Sequence, residues 1–105
     1  MIDRSRLQPT VFLLDADPGN LSAMERLIAS EGMKCECYGT AEQFRSEYRH
    51  EVPGCLVVDV DLPDADGVEL VDALHEEGIE IPAVFLMKHA DIPTCVRAMK
   101  AGAID

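Results

Sequence analysis

Three short, almost uninterrupted apolar runs limit what this chain can fold into: Thr10–Leu14 (TVFLL), Cys55–Asp59 (CLVVD) and Ala83–Met87 (AVFLM). A strand with one wet face alternates polar and apolar residues, whereas a continuous apolar run of this length fits a strand covered on both faces. Between these runs the period changes. Leu21, Met24, Leu27 and Ile28 recur at helical spacing, and Gly32 closes that segment. Met33–Tyr38 (MKCECY) alternates as an edge strand does, with Cys35 and Cys37 on one face. Thr40 opens T-A-E-Q, a capping box with Gln43, and Phe44 and Tyr48 follow four apart. Val68, Leu70, Val71 and Leu74 mark a third helix that stops at Gly78. Asp91 can cap a last helix, with Pro93 in its first turn, Val96 and Met99 on its inner face and Gly102 at its end. The resulting order, β-α-β-α-β-α-β-α, predicts an α/β fold: an open parallel sheet with helices on both faces.

Charge narrows the partners. The formal net charge is −11, so direct nucleic-acid binding is not expected, because phosphate contacts need basic patches. The opening MIDRSRLQPT has no apolar signal core, and no apolar run approaches the ~20 residues of a membrane span. Cys35, Cys37, Cys55 and Cys95 form no C-x-x-C pair. A zinc or redox motif is therefore not expected, and reduced thiols in a cytoplasmic protein fit better. His50, His75 and His89 are scattered and read as surface residues.

The second buried run ends in a crowd of like charges, with Asp59, Asp61, Asp64 and Asp66 falling within eight residues. An EF-hand is excluded by spacing: with Gly67 sixth, the first and twelfth positions are Leu62 and Ala73. Asp64 and Asp66, in PDADG, suit a turn and a helix cap, and Asp17, before Pro18, suits a cap. Asp15 and Asp59 differ, since each ends an apolar strand. In an open parallel sheet, ligands bind beyond the carboxyl ends of the strands at the switch in strand order. If the two strands are neighbours, their terminal carboxylates meet and call for a counter-cation. Oxygen-only donors suit a hard cation such as Mg²⁺, beside which an aspartate can accept a phosphoryl group.

VFLLDADPGN, CLVVDVDLPDADGVELVDAL and IPAVFLMKHADIPTCVRAMKAGAID, taken in order, resemble the receiver domain of bacterial two-component response regulators. The D-V-x-[LM]-P-x-x-x-G segment after a strand-terminal Asp carries most of the likeness. The resemblance implies a flavodoxin-like (βα) receiver fold over residues 10–105, behind a tail of residues 1–9. It implies Asp59 as the phosphoacceptor, Asp15 in the acidic Mg²⁺ pocket, and Asp61 as a ligand through its backbone carbonyl. It implies a sensor histidine kinase or phosphotransfer protein as partner.

Three departures bear on that chemistry. Ala16 stands where the family carries a second acidic ligand. Met87 stands where it carries the Ser or Thr that couples phosphorylation to rearrangement, and Lys88 follows. The sequence stops at Asp105, before the fifth strand, its Lys and the fifth helix of a complete receiver. An incomplete receiver would leave Ala83–Met87 as an apolar sheet edge and part of a sheet face bare, so self-association through that edge is expected. The function expected is a phosphorelay receiver module, degenerate in its Mg²⁺ and switch chemistry. The alternative is a phosphorylation-independent pseudo-receiver that binds proteins, with the last helix and the strand before it as the contact surface and Arg97 and Lys100 facing acidic partners. A more distant alternative is a D-x-D phosphatase-like enzyme; the main expectation is a non-enzymatic module.

Overall fold

The structure, a computed structural model, describes residues 8–88 and 92–101. Its elements run β1 (Thr10–Leu14), α1 (Pro18–Ser30), β2 (Lys34–Tyr38), α2 (Ala41–Glu47), β3 (Gly54–Asp59), α3 (Gly67–Glu76), β4 (Ala83–Leu86) and α4 (Ile92–Lys100). The four strands are parallel, in the order β2-β1-β3-β4. Strand order therefore reverses between β1 and β3, the arrangement of flavodoxin-like sheets. The expected order of elements and the α/β class both hold.

Local signals set the helix ends. Pro18 occupies the first turn of α1, and Asp17 caps it by accepting from Gly19 N at 2.8 Å. At the other end Gly32, with φ of 76°, lets its own N–H reach Ala29 O and that of Met33 reach Ile28 O. That is a Schellman closure, in which a left-handed residue satisfies the last carbonyls. Gly78, with φ of 86°, repeats it at the end of α3, bonding His75 O while Ile79 N bonds Leu74 O. Thr40 Oγ1 caps α2 by accepting from Gln43 N at 3.0 Å; in return Gln43 Oε1 accepts from Gly39 N at 3.1 Å, one residue before the box position.

The main core lies on one face of the sheet. Phe12, Leu14, Leu56, Val58, Ala83 and Phe85 project from the strands toward α2, α3 and α4. Phe44, fully buried, meets Phe12 edge-on at 6.2 Å and Tyr38 at 5.4 Å, and stacks on Tyr48 at 4.7 Å. The opposite face carries Val11 and Leu13, both buried, and α1, which packs on β1 and β2. No residue of α1 is fully buried; Leu21, Met24 and Ile28 are half-buried and Leu27 is exposed. On that same face Cys55, Val57, Val84 and Leu86 are only half-covered.

One expectation about α4 fails. Val96 and Met99 do not face inward: they are 43% and 74% exposed, and Ile92 joins them at 80%. The buried residues of this segment are Ala98 and Ala101, which join the core cluster. Arg97, on the surface, pairs with Asp66 at 3.0 Å. Among the histidines, His50 is on the surface beside Glu51 as expected. His75 is half-buried and its Nε2 donates to Ile81 O at 3.2 Å, so it is a structural residue. His89, the Asp91 cap, the Gly102 stop and most of the 1–9 tail lie outside the described residues. No helix among the described residues is long and apolar enough to cross a membrane.

Candidate functional site

Leu14 pairs with Val58 across the β1–β3 boundary, so the next residues, Asp15 and Asp59, stand side by side at the carboxyl edge of the sheet. Both are nearly inaccessible, at 2% and 3% exposure. Each is held by the turn that follows its strand. Asp15 Oδ1 accepts from Asp17 N at 2.9 Å, and Asn20 Nδ2 donates to Oδ2 at 3.3 Å. Asp59 Oδ1 accepts from Asp61 N at 2.9 Å, which leaves Oδ2 as its available oxygen. Burial pushes the Asp59 carboxyl above its ordinary range and the like charge of Asp15 adds to this, while the Asp61 N–H and the Lys88 ammonium pull the other way. A pair of buried carboxylates that repel one another is a site short of positive charge. The donor set is oxygen, which fits a hard divalent cation.

The turn behind this pair is built tightly. Gly67 N donates to Val60 O at 2.8 Å, and Asp61 bridges Asp66. A Cβ on Gly67 would lie 2.4 Å from Asp59 O and 3.0 Å from Val60 Cα, so glycine is needed for close approach of α3 to the end of β3. The other two carboxylates of PDADG act as caps. Asp66 caps α3 through Val68 N at 2.8 Å and Glu69 N at 3.1 Å. Burial would raise its carboxyl, but Arg97 and these N–H donors outweigh that and hold it below the ordinary range. Asp64 works at a distance, capping α2 through Ala41 N and Glu42 N, both at 2.9 Å. Those two bonds also keep its carboxyl low.

Among the expected pocket positions, Ala16 is exposed beside the pair. Met87 is half-buried against the core. With Val60, Asp61, Asp66, Lys88 and Arg97 it lines a shallow cavity of about 230 Å³ next to the carboxylates. The structure thus brings together Asp15, Asp59 and the Asp61 backbone, and places Lys88 near enough for its charge to act on Asp59. Sequence reading missed Asn20, whose signal was its place in the first turn of the helix that follows Asp15. It also missed the long-range partner of Asp64, which has no local signal.

A family model for the response regulator receiver domain matches residues 11–105. The response regulator protein TodT of Pseudomonas putida is 37% identical over 105 residues, which is all of this chain and 45% of that protein. The transcriptional regulatory protein FixJ of Rhizobium meliloti is 33% identical over 96 residues, covering 91% of this chain and 47% of that one. The chain thus spans about half the length of these relatives. Among solved structures, the response regulator StyR superposes with a TM-score of 0.85 at 42% identity, over 92% of this chain and 49% of that one. The FixJ-N structure superposes with a TM-score of 0.78 at 32% identity, over all of this chain and 80% of that one.

Proposed function

The chain belongs to the response regulator receiver domain family of two-component signal transduction, and from that premise we propose that Asp59 is its phosphoacceptor. The observation that carries this is the buried Asp15–Asp59 pair at the β1–β3 switch point, with Asp59 Oδ2 not engaged by the Asp61 N–H. Asp59 Oδ2 attacks the phosphorus of a phosphohistidine on a sensor histidine kinase or phosphotransfer protein in the cytoplasm. The P–O bond forms, the P–N bond breaks, and the electron pair of that bond returns to the imidazole nitrogen, which takes a proton from solvent. The Asp61 N–H orients the carboxylate through Oδ1, and Lys88 offsets part of the charge that arrives. Asp15, Asp59 and the Asp61 carbonyl are the groups to hold Mg²⁺, which when bound neutralises the carboxylates and the phosphoryl oxygens. With Ala16 in place of a further carboxylate, Mg²⁺ binding is weak. With Met87 in place of a hydroxyl, phosphorylation is poorly coupled to movement of the β4–α4 segment.

The exposure of Ala16 and the apolar Met87 also favour a second reading, a pseudo-receiver that binds partners without phosphorylation. One experiment separates the two: a Mg²⁺ titration followed by beryllofluoride, read by NMR, on wild type and Asp59→Asn. Saturable binding that is lost in Asp59→Asn supports the phosphoacceptor. No binding at millimolar Mg²⁺ in a folded protein supports the pseudo-receiver. The 105-residue chain is further proposed to self-associate through β4, which is the edge of the described sheet. A sedimentation coefficient independent of concentration would overturn that.

A further inference from the structure

The strand β2 carries a C-x-C pair on the face that α1 covers. In register, Cys35 and Cys37 lie beside Val11 and Leu13 of β1, the two buried residues of that face. Their sulfurs are 4.0 Å apart. From α1, Glu25 reaches the same spot: Cys37 Sγ donates to Glu25 Oε2 at 3.4 Å. The three ligand atoms all lie within 4.8 Å of one another, the one such group of His, Cys, Asp or Glu among the described residues.

We propose that Glu25, Cys35 and Cys37 form a site for a thiophilic divalent cation of the Zn²⁺ class, with two thiolates and a carboxylate as ligands and water in the fourth position. The distances support it. A tetrahedral centre with metal–sulfur bonds of ~2.3 Å and metal–oxygen bonds of ~2.1 Å sets two sulfurs ~3.8 Å apart and a sulfur and an oxygen ~3.6 Å apart. The observed 4.0 Å and 3.4 Å each differ from those edges by roughly 0.2 Å, a side-chain adjustment. A disulfide fits less well. Its sulfurs sit at ~2.0 Å, and residues two apart on a strand have Cα atoms ~6.6 Å apart, near the upper limit for such a bridge.

The donor chemistry separates this site from the carboxylate pair. Two thiolates select Zn²⁺ and its softer congeners over Mg²⁺, while Asp15 and Asp59 offer only oxygen donors, which suit a hard cation. Binding converts both thiols to thiolates and releases two protons to solvent, so no oxidant is needed. Without metal, burial, the neighbouring thiol and Glu25 push the Cys37 thiol up to about 12. Cys35 is raised as well, chiefly by burial. The cysteine spacing is C-x-C rather than C-x-x-C, and the third ligand comes from another element. The metal ties α1, which has no fully buried residue, to the edge of the sheet. Asn20 of the same helix holds Asp15, so the bridge reaches toward the carboxylate site.

The test uses the reduced, metal-free 105-residue chain titrated with Co²⁺, then with Zn²⁺ in the presence of excess Mg²⁺. The expected result is one Co²⁺ per chain, a thiolate-to-cobalt charge-transfer band, intense visible bands of four-coordination, and displacement by Zn²⁺ alone. Bound Zn²⁺ should raise Tm and shield Cys35 and Cys37, but not Cys55, from alkylation as read by peptide mass. The double variant Cys35→Ser/Cys37→Ser, checked for fold by circular dichroism, should lose the charge-transfer band and bind Zn²⁺ at least about a hundredfold more weakly. Glu25→Gln should keep the band with roughly tenfold weaker binding. The proposal is overturned if the band survives in the double serine variant, if wild type saturates without it, or if saturation comes at one metal per two chains.

Discussion

Replacing Gly67 by alanine tests whether the turn behind Asp59 is as tight as the structure shows. The added Cβ would stand 2.4 Å from Asp59 O and 3.1 Å from Asp59 C. An ordinary contact needs about 3.4 Å, so the backbone of β3 or the first turn of α3 must give by roughly 1 Å. Neither yields freely. The Gly67 N–H holds Val60 O at 2.8 Å, and Asp66 fixes the start of α3 through two N–H groups. Overpacking of this kind costs about 1–3 kcal/mol, and alanine's better helix propensity returns at most ~1 kcal/mol. The net expectation is a loss of about 1–2 kcal/mol, which for a domain of this size lowers Tm by roughly 4–16 °C. Gly39→Ala is the control, because a Cβ there meets nothing within 4 Å. It should leave stability unchanged or slightly raised. Urea denaturation of the three proteins measures the difference. If Gly67→Ala is as stable as Gly39→Ala, the close approach of α3 to Asp59 is wrong. Because the displaced atom is the Asp59 carbonyl, Gly67→Ala should also weaken beryllofluoride binding.

Asp59→Asn should raise Tm at neutral pH. The folded-state carboxyl is raised above its unfolded value, so stability present at low pH is lost as pH rises through the folded-state pKa, and the variant escapes that loss. The Tm gap should therefore widen with pH across the carboxylate range, and a gap that is constant with pH would refute the burial argument. Lys88→Met removes a charge that lowers the Asp59 carboxyl, so the Asp59 titration followed by NMR should move upward; no movement would place the ammonium too far away to act. Phe44→Ala opens a hole in a fully buried aromatic cluster and should cost about 3–5 kcal/mol by urea denaturation.

How much could be read beforehand depended on how local the physics was. The strand Thr10–Leu14 matched its apolar run, since burial on both faces demands apolar residues at every position. The helix ends at Gly32 and Gly78 were legible because a left-handed closure selects glycine. Asp17 and Asp66 were legible as caps because the groups they bond lie two or three residues on. Asp64 was not, because the N–H groups it caps are over twenty residues away in sequence. The inner face of α4 was misjudged for a related reason. Val96 and Met99 have the spacing of a core stripe, but which face of α4 turns inward, here the one that carries Ala98, is a property of the whole packing.

By itself, then, the sequence determined the alternation of buried strands and helices, the caps, and the two carboxylates at strand ends, because each follows from neighbours along the chain. Tertiary structure decided which strands lie together, and so that Asp15 meets Asp59, that Arg97 is taken up by Asp66, and that Glu25 descends on Cys35 and Cys37. Those meetings join residues separated by many positions, and parallel pairing with crossover helices brings them into contact only when the sheet closes.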